Sequence, residues 1–104
     1  MRFHGIDLDT GAIRDFCKKW KIKELSVFGS ILRDDFRPDS DIDFLVSYDE
    51  DAEWDLSDHV EIQEELAEVV GRHVDLLSRY AVETDRNWIF RKAVLSGAER
   101  VYAQ

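Results

Sequence analysis

A single cysteine, Cys17, and a single proline, Pro38, stand in a chain of 104 residues. One cysteine excludes an internal disulfide and suits a reducing compartment, so the expected setting is the cytoplasm. No apolar run approaches a membrane span: the longest, Trp88–Phe90 with Ala93–Leu95, is broken by Arg91 and Lys92. Met1 to Gly5 lack an apolar core followed by a small-residue cleavage site, and no export signal is expected. Linkers, internal repeats and low-complexity tracts are also missing, so residues 1–104 read as one domain with a modest core. Positive charge is scarce. Fourteen basic residues face 23 acidic ones, for a net charge of −9. Such a field repels a phosphate backbone unless the basic residues share one face. Lys18, Lys19, Lys21 and Lys23 do cluster, but they read as the solvated end of a helix. DNA and RNA are therefore not expected as main substrates, and a basic protein or a small cationic molecule suits the charge better.

What is present is a regular alternation of elements. Thr10 is placed to cap a first helix running to about Trp20, with Ile13, Phe16, Cys17 and Trp20 on one stripe. That stripe makes Cys17 a core thiol, with no base assignable to it as a nucleophile. Ile22 to Phe28 reads as a strand stopped by Gly29, Ser30 to Arg33 as a brief helical turn, and Asp34 to Asp41 as a polar loop. Ile42 to Ser47 is a second strand with Ile42, Phe44 and Val46 on one face. A long helix starts near Ala52 or Ser57 and ends at Val70, with Ile62, Leu66, Val69 and Val70 inward and Gly71 as its stop. His73 to Leu77 is a third strand, about Val82 to Leu95 a last helix, and Glu99 to Ala103 an edge strand. The order predicts an α+β (α/β-like) domain, a short mixed sheet with helices packed on it.

The chemistry centres on Asp41 and Asp43. Two apart on a strand, they put two carboxylates side by side, where they repel unless a cation sits between them. Carboxylate oxygens suit hard Mg²⁺. A bare Asp-x-Asp is more often an exposed edge, but Ile42 and Phe44–Val46 anchor this one in a core. A calcium loop fails, because Phe44 or Val46 occupies the position that needs glycine. Upstream, Gly29-Ser30 ends a strand and opens a turn, where backbone N–H groups and a hydroxyl can meet phosphate oxygens. Taken alone, it is an ordinary turn, and no Walker loop follows it. Downstream, Asp75 lies in the apolar strand His73-Val74-Asp75-Leu76-Leu77, where a carboxylate is costly unless paired or metal-bound. If that strand lies beside Asp41–Ser47, three carboxylates converge, enough to clamp two metal ions and to take a proton from an attacking hydroxyl. His4, His59 and His73 have no zinc-like spacing. Trp20, Trp54 and Trp88 read as core or interface residues. The acidic run from Asp49 to Asp58 reads as a solvated helix start, with a partner-binding face second.

Gly29-Ser30, ten residues, Asp41-x-Asp43 and then Val74-Asp75-Leu76-Leu77 resemble the minimal nucleotidyltransferases (MNT domains) of the DNA polymerase beta superfamily, whose signature is Gly-Ser-x10-Asp-x-Asp. Val27 to Arg33 and Arg37 to Val46 match it nearly throughout, and Gly97 to Tyr102 is similar to the family's closing segment. The resemblance implies a nucleotidyltransferase fold and in-line transfer from ATP. Two Mg²⁺ would be held by Asp41, Asp43 and Asp75, with Asp75 also as base. The nucleotide would be bound by Gly29, Ser30, Arg33 and Ser40. It further implies an antitoxin that moves AMP onto a hydroxyl, a tyrosine's, of a partner HEPN ribonuclease toxin, in a hetero-oligomer. The alternatives are an antitoxin acting by binding alone and a transferase for a small molecule of aminoglycoside type; 104 residues leave no room for the helical domain the latter uses. In place of the usual Ala-Arg-Gly stand Leu32-Arg33-Asp34. Arg33 is retained, free for phosphate or paired with Asp34 or Asp35, while Asp34 stiffens the loop and adds an anion.

Overall fold

In the computed structural model, which describes residues 2–104, the chain opens with a hairpin that the hydrophobic pattern does not announce. Strands β1 (Arg2–Phe3) and β2 (Ile6–Asp7) pair antiparallel. His4 and Gly5, both at positive φ (52° and 81°), make the two-residue turn between them. Each strand has two residues, too few for an alternation to show. The imidazole Nε2 of His4 donates to the Ile31 carbonyl at 2.9 Å, fastening the hairpin onto the turn that follows the next strand.

Helix α1 (Gly11–Lys19) begins where the Thr10 hydroxyl accepts the Ile13 amide at 3.2 Å. It buries Ile13, Phe16 and Cys17, with Trp20 just beyond its end. Burial pushes the Cys17 thiol up to about 12, which fits an inert core residue. Strand β3 (Ile22–Phe28) leads into a 3₁₀ turn (Gly29–Leu32), and β4 (Ile42–Tyr48) follows the polar loop. Asp55 and Asp58 then form a reciprocal capping box at the start of α2 (Leu56–Val70), and Gly71 ends that helix in the left-handed conformation. Strand β5 (Val74–Ser78) closes the crossover.

The sheet order is β5-β4-β3-β6, with β6 spanning Glu99–Ala103. Strands β4 and β5 are parallel, joined through α2, and the other neighbours are antiparallel. The sheet is therefore mixed, as expected. Ile42, Phe44 and Val46 face α1 and α2 and are fully buried with Ile62 and Leu66. On the opposite face Leu45 packs with Val82 and Val94.

The last helix departs from expectation. It is two helices, α3 (Arg79–Glu83) and α4 (Trp88–Leu95). The Thr84 hydroxyl folds back onto the Tyr80 carbonyl at 2.8 Å, and the Asn87 side chain accepts the amides of Ile89 and Phe90. These residues offer the backbone partners that compete with a continuing helix. Val82, the expected start, is interior to α3, whereas the expected end at Leu95 is where α4 stops, with Ser96 as its C-cap. Among the tryptophans, Trp20 is core and Trp54 half-buried, its indole N–H donating to the Trp20 carbonyl at 2.7 Å. Trp88 is exposed. No described helix is long and apolar enough to cross a membrane.

The capping box gives a direct check on α2. Asp55→Ala removes the acceptor for the Asp58 amide, now met at 2.9 Å, and should cost roughly 1 kcal/mol. Thermal melting should register it as a fall of about 4–8 °C for that loss.

Candidate active site

The ladder draws the predicted residues into one row. Phe28 pairs with Asp43 across β3 and β4, and Asp43 pairs with Asp75 across β4 and β5. Asp43 shares its face with Leu45 by the period of two, so the row lies on the α3/α4 side of the sheet. Asp41 stands one residue before β4 begins. The three carboxylates expected to converge are thus neighbours at one end of the sheet.

Their environments differ. Asp41 and Asp75 are exposed, whereas Asp43 is half-buried. Burial raises the Asp43 carboxyl above the ordinary range, and the charges of Asp75 and then Asp41 raise it further, against a smaller pull from Arg33. This corrects one expectation. The carboxylate that the apolar surroundings burden is Asp43, not Asp75, because β5 lies at the sheet edge and leaves Asp75 open to water.

Gly29 is required where it stands. Its φ is +76°, and a Cβ added there would lie 2.5 Å from Oδ2 of Asp43. Only a residue without a side chain lets the turn pass so close to that carboxylate. Ser30 follows, its hydroxyl donating to the Asp41 carbonyl at a long 3.5 Å. Arg33 and Ser40, expected beside the nucleotide, are engaged within the loop. The Arg33 guanidinium pairs with Asp35, not Asp34, at 3.2 Å and is mostly exposed. The Ser40 hydroxyl accepts the Arg37 amide at 3.1 Å.

Two supporting residues have no signal in the motif. Along the outer edge of β5, Leu76 donates its amide to Gln63 at 2.9 Å and its carbonyl accepts from His59 Nε2 at 2.7 Å. Both come from α2, four residues apart and hence on one face. They satisfy an open strand edge next to Asp75. The signal available in the sequence was the spacing of His59 and Gln63 beside the buried stripe of Ile62 and Leu66.

Among the described residues, no three His, Cys, Asp or Glu side chains form a ready-made metal cage. The aspartates are instead an open, all-oxygen set whose mutual repulsion falls most heavily on Asp43. Such a set fits a hard divalent cation that completes its shell with water and phosphate oxygens.

Comparison with known proteins bears on the family and the fold. The family described as "Nucleotidyltransferase domain" matches residues 11–96. A Methanocaldococcus jannaschii protein named "Putative protein adenylyltransferase" is 34% identical over 64 residues, 62% of this chain and 64% of that relative. The match thus spans a little under two thirds of the relative's length. A solved structure described as a "putative minimal nucleotidyltransferase" aligns with a TM-score of 0.65 and 30% identity, covering 92% of this chain and 97% of the other. A complex of tri-AMPylated Shewanella oneidensis HEPN toxin with MNT antitoxin shares the fold, with a TM-score of 0.56 at 20% identity over 89% of this chain and 65% of that one.

Substitutions at Gly29 and Asp43 probe the row. Gly29→Ala places a methyl group against the Asp43 carboxylate in a conformation costing roughly 1–2 kcal/mol by itself, and should lower thermal stability. In an Asp43→Ala background the steric part vanishes, so Gly29→Ala should cost less there than in wild type. Strict additivity would show that the close approach carries no energy. Asp43→Asn should raise the melting temperature of the metal-free protein at pH 7, since the raised carboxyl titrates at the expense of the folded state. Wild type loses stability as pH rises from the ordinary carboxylate range through the raised value. The advantage of the variant should therefore be full above that window and vanish below it.

Proposed function

This chain belongs to the nucleotidyltransferase-domain family, and from that premise we propose that it is an adenylyltransferase antitoxin, moving AMP from ATP onto a tyrosine hydroxyl of a cognate HEPN ribonuclease toxin. The observation that carries the reading is the row of Asp43 and Asp75 at one end of the sheet, with Asp41 beside it and Gly29 pressed against the Asp43 carboxylate. The likeness to a named protein adenylyltransferase supports the nucleotide donor, and the likeness to an antitoxin held with an AMPylated toxin supports the acceptor.

Asp41, Asp43 and Asp75 would hold two Mg²⁺, with Asp41 and Asp43 the principal ligands. Bound there, the cations would neutralise triphosphate charge and favour departure of pyrophosphate. The residues of the chain do the rest. Gly29 and Ser30 offer backbone N–H groups and a hydroxyl to the β and γ phosphates, and the absent Cβ keeps that surface open. Asp75, exposed beside Asp43, accepts the proton of the attacking hydroxyl. The acceptor oxygen bonds to the α-phosphorus as the bridge to the β-phosphate breaks, and pyrophosphate leaves with the electron pair. Arg33 can turn from Asp35 to the phosphates, since their 3.2 Å pair is largely solvated and weak.

Asp41 and Asp75 lie open to solvent, so a hydroxyl carried by a partner protein can reach the row from outside. A surface of net charge −9 favours encounter with a basic protein in the cytoplasm.

Mg²⁺ with ATP should raise the melting temperature of wild type, by about 2.7 kcal/mol of added stability at a hundredfold excess over the dissociation constant. Asp43→Asn should lose that response and abolish transfer despite its more stable metal-free fold. Mass spectrometry of the toxin after incubation with this protein, ATP and Mg²⁺ should show added adenylate. A toxin neutralised with its mass unchanged would replace the enzyme with an antitoxin that acts by binding alone.

A further inference from the structure

Asp41 differs from its two companions in what holds it. Asp43 and Asp75 are ladder residues, but β4 starts only at Ile42, whose amide donates to the His73 carbonyl at 3.1 Å. Asp41 therefore lies one residue beyond the last rung. It is also exposed, and exposed strand ends open most readily. Its own carbonyl receives a long bond from the Ser30 hydroxyl, at 3.5 Å.

The chain is met there by Arg72. The left-handed Gly71 at φ +77° ends α2, and the amides of Gly71 and Arg72 both donate to the Ala67 carbonyl, at 2.9 and 3.2 Å. This turn aims the arginine across at the loop before Asp41. One terminal guanidinium nitrogen of Arg72 donates to the carbonyls of Arg37 at 3.1 Å, Pro38 at 2.6 Å and Ser40 at 2.7 Å. The guanidinium carbon lies 4.7 Å from the centre of the Phe36 ring, and His4 stacks on the same ring at 4.8 Å. The loop is already drawn tight by the Ser40 amide on the Arg37 carbonyl at 3.0 Å. Among the described residues the Arg72 Nε is buried without a partner, so the carbonyls and the Phe36 ring are what orient the group.

We propose that Arg72 is a positioning residue for the site. It clamps residues 37–40 from the turn between α2 and β5, and so holds Asp41 in line with Asp43 and Asp75 for a divalent cation. The Ser40 carbonyl belongs to the peptide that joins Asp41, so the bond from Arg72 sets the plane from which the Asp41 side chain departs. Arg72 lies three residues before Asp75, which ties the first and last carboxylates of the site to one short segment. An arginine is needed because a planar fork can stack on Phe36 and share its protons among several carbonyls, whereas an ammonium cannot do both. The proposal rests on the transferase reading for its consequence but not for its geometry.

Hydrogen exchange of the full chain tests the clamp without any assay of activity. In Arg72→Met the amides of residues 39–42 should exchange about tenfold faster than in wild type, while those of α1 and β3 keep their rates. Arg72→Lys should fall between, which also guards against a methionine variant that folds poorly. The Mg²⁺ concentration giving half of the ATP-induced thermal shift should rise about tenfold in Arg72→Met, with the full shift regained at saturation. Unchanged loop exchange overturns the clamp. A loosened loop with unchanged Mg²⁺ dependence overturns the positioning role and leaves a structural one. A wild-type protein with no ATP-induced shift overturns the transferase reading instead, and the exchange rates still decide the clamp.

Discussion

The register of β4 is the constraint on which the rest depends. Side chains alternate along a strand, so a slip of one residue exchanges its two faces completely. Ile42, Phe44 and Val46 are fully buried against α1 and α2. Exposing all three in the slipped register would forfeit roughly 1.5–3 kcal/mol for each. That penalty is what keeps Asp43 on the other face, opposite Phe28 and Asp75. The core thus determines the position of Asp43.

A site built this way is unfavourable to its own fold. Asp43 is half-buried among like charges and is held there by packing. The surrounding structure makes the arrangement sustainable in specific ways. Gly29 gives up its side chain at the point of closest approach. Gln63 and His59 close the free edge of β5, so the strand carrying Asp75 does not depend on its single neighbour alone. An apolar face fixes the row, polar side chains from α2 steady its edge, and the repulsion left over is what a cation would relieve.

Much of this is legible in the amino-acid sequence. The apolar stripe of α1, the extent of β3, and the alternation in β4 follow from periodicity, because each element buries one face. Asp41, Asp43 and Asp75 were expected to meet if the third strand lay beside the second, and the pairing of β4 with β5 makes them neighbours. The break between α3 and α4 was missed although the polar run Glu83-Thr84-Asp85-Arg86-Asn87 separates Val82 from Trp88, with Thr84 and Asn87 capping locally. The exposure of Asp75 depends on which strand lies at the sheet edge, and strand order is not a local property of sequence. Arg33 and Ser40 were matched by motif alone, and the structure gives both to the loop's own hydrogen bonds and ion pair. The part played by His59 and Gln63 belongs to the same class of non-local fact.

The central claim is that the carboxylate row stores repulsion that a divalent cation and a nucleotide release. Carbon-13 NMR of the side-chain carboxyls measures this directly, by following Asp43 through a pH titration with and without Mg²⁺ and a non-hydrolysable ATP analogue. The account predicts an Asp43 that titrates above the ordinary carboxylate range when alone and well below that position once both ligands are present. An Asp43 titration left unmoved by saturating ligands would contradict it.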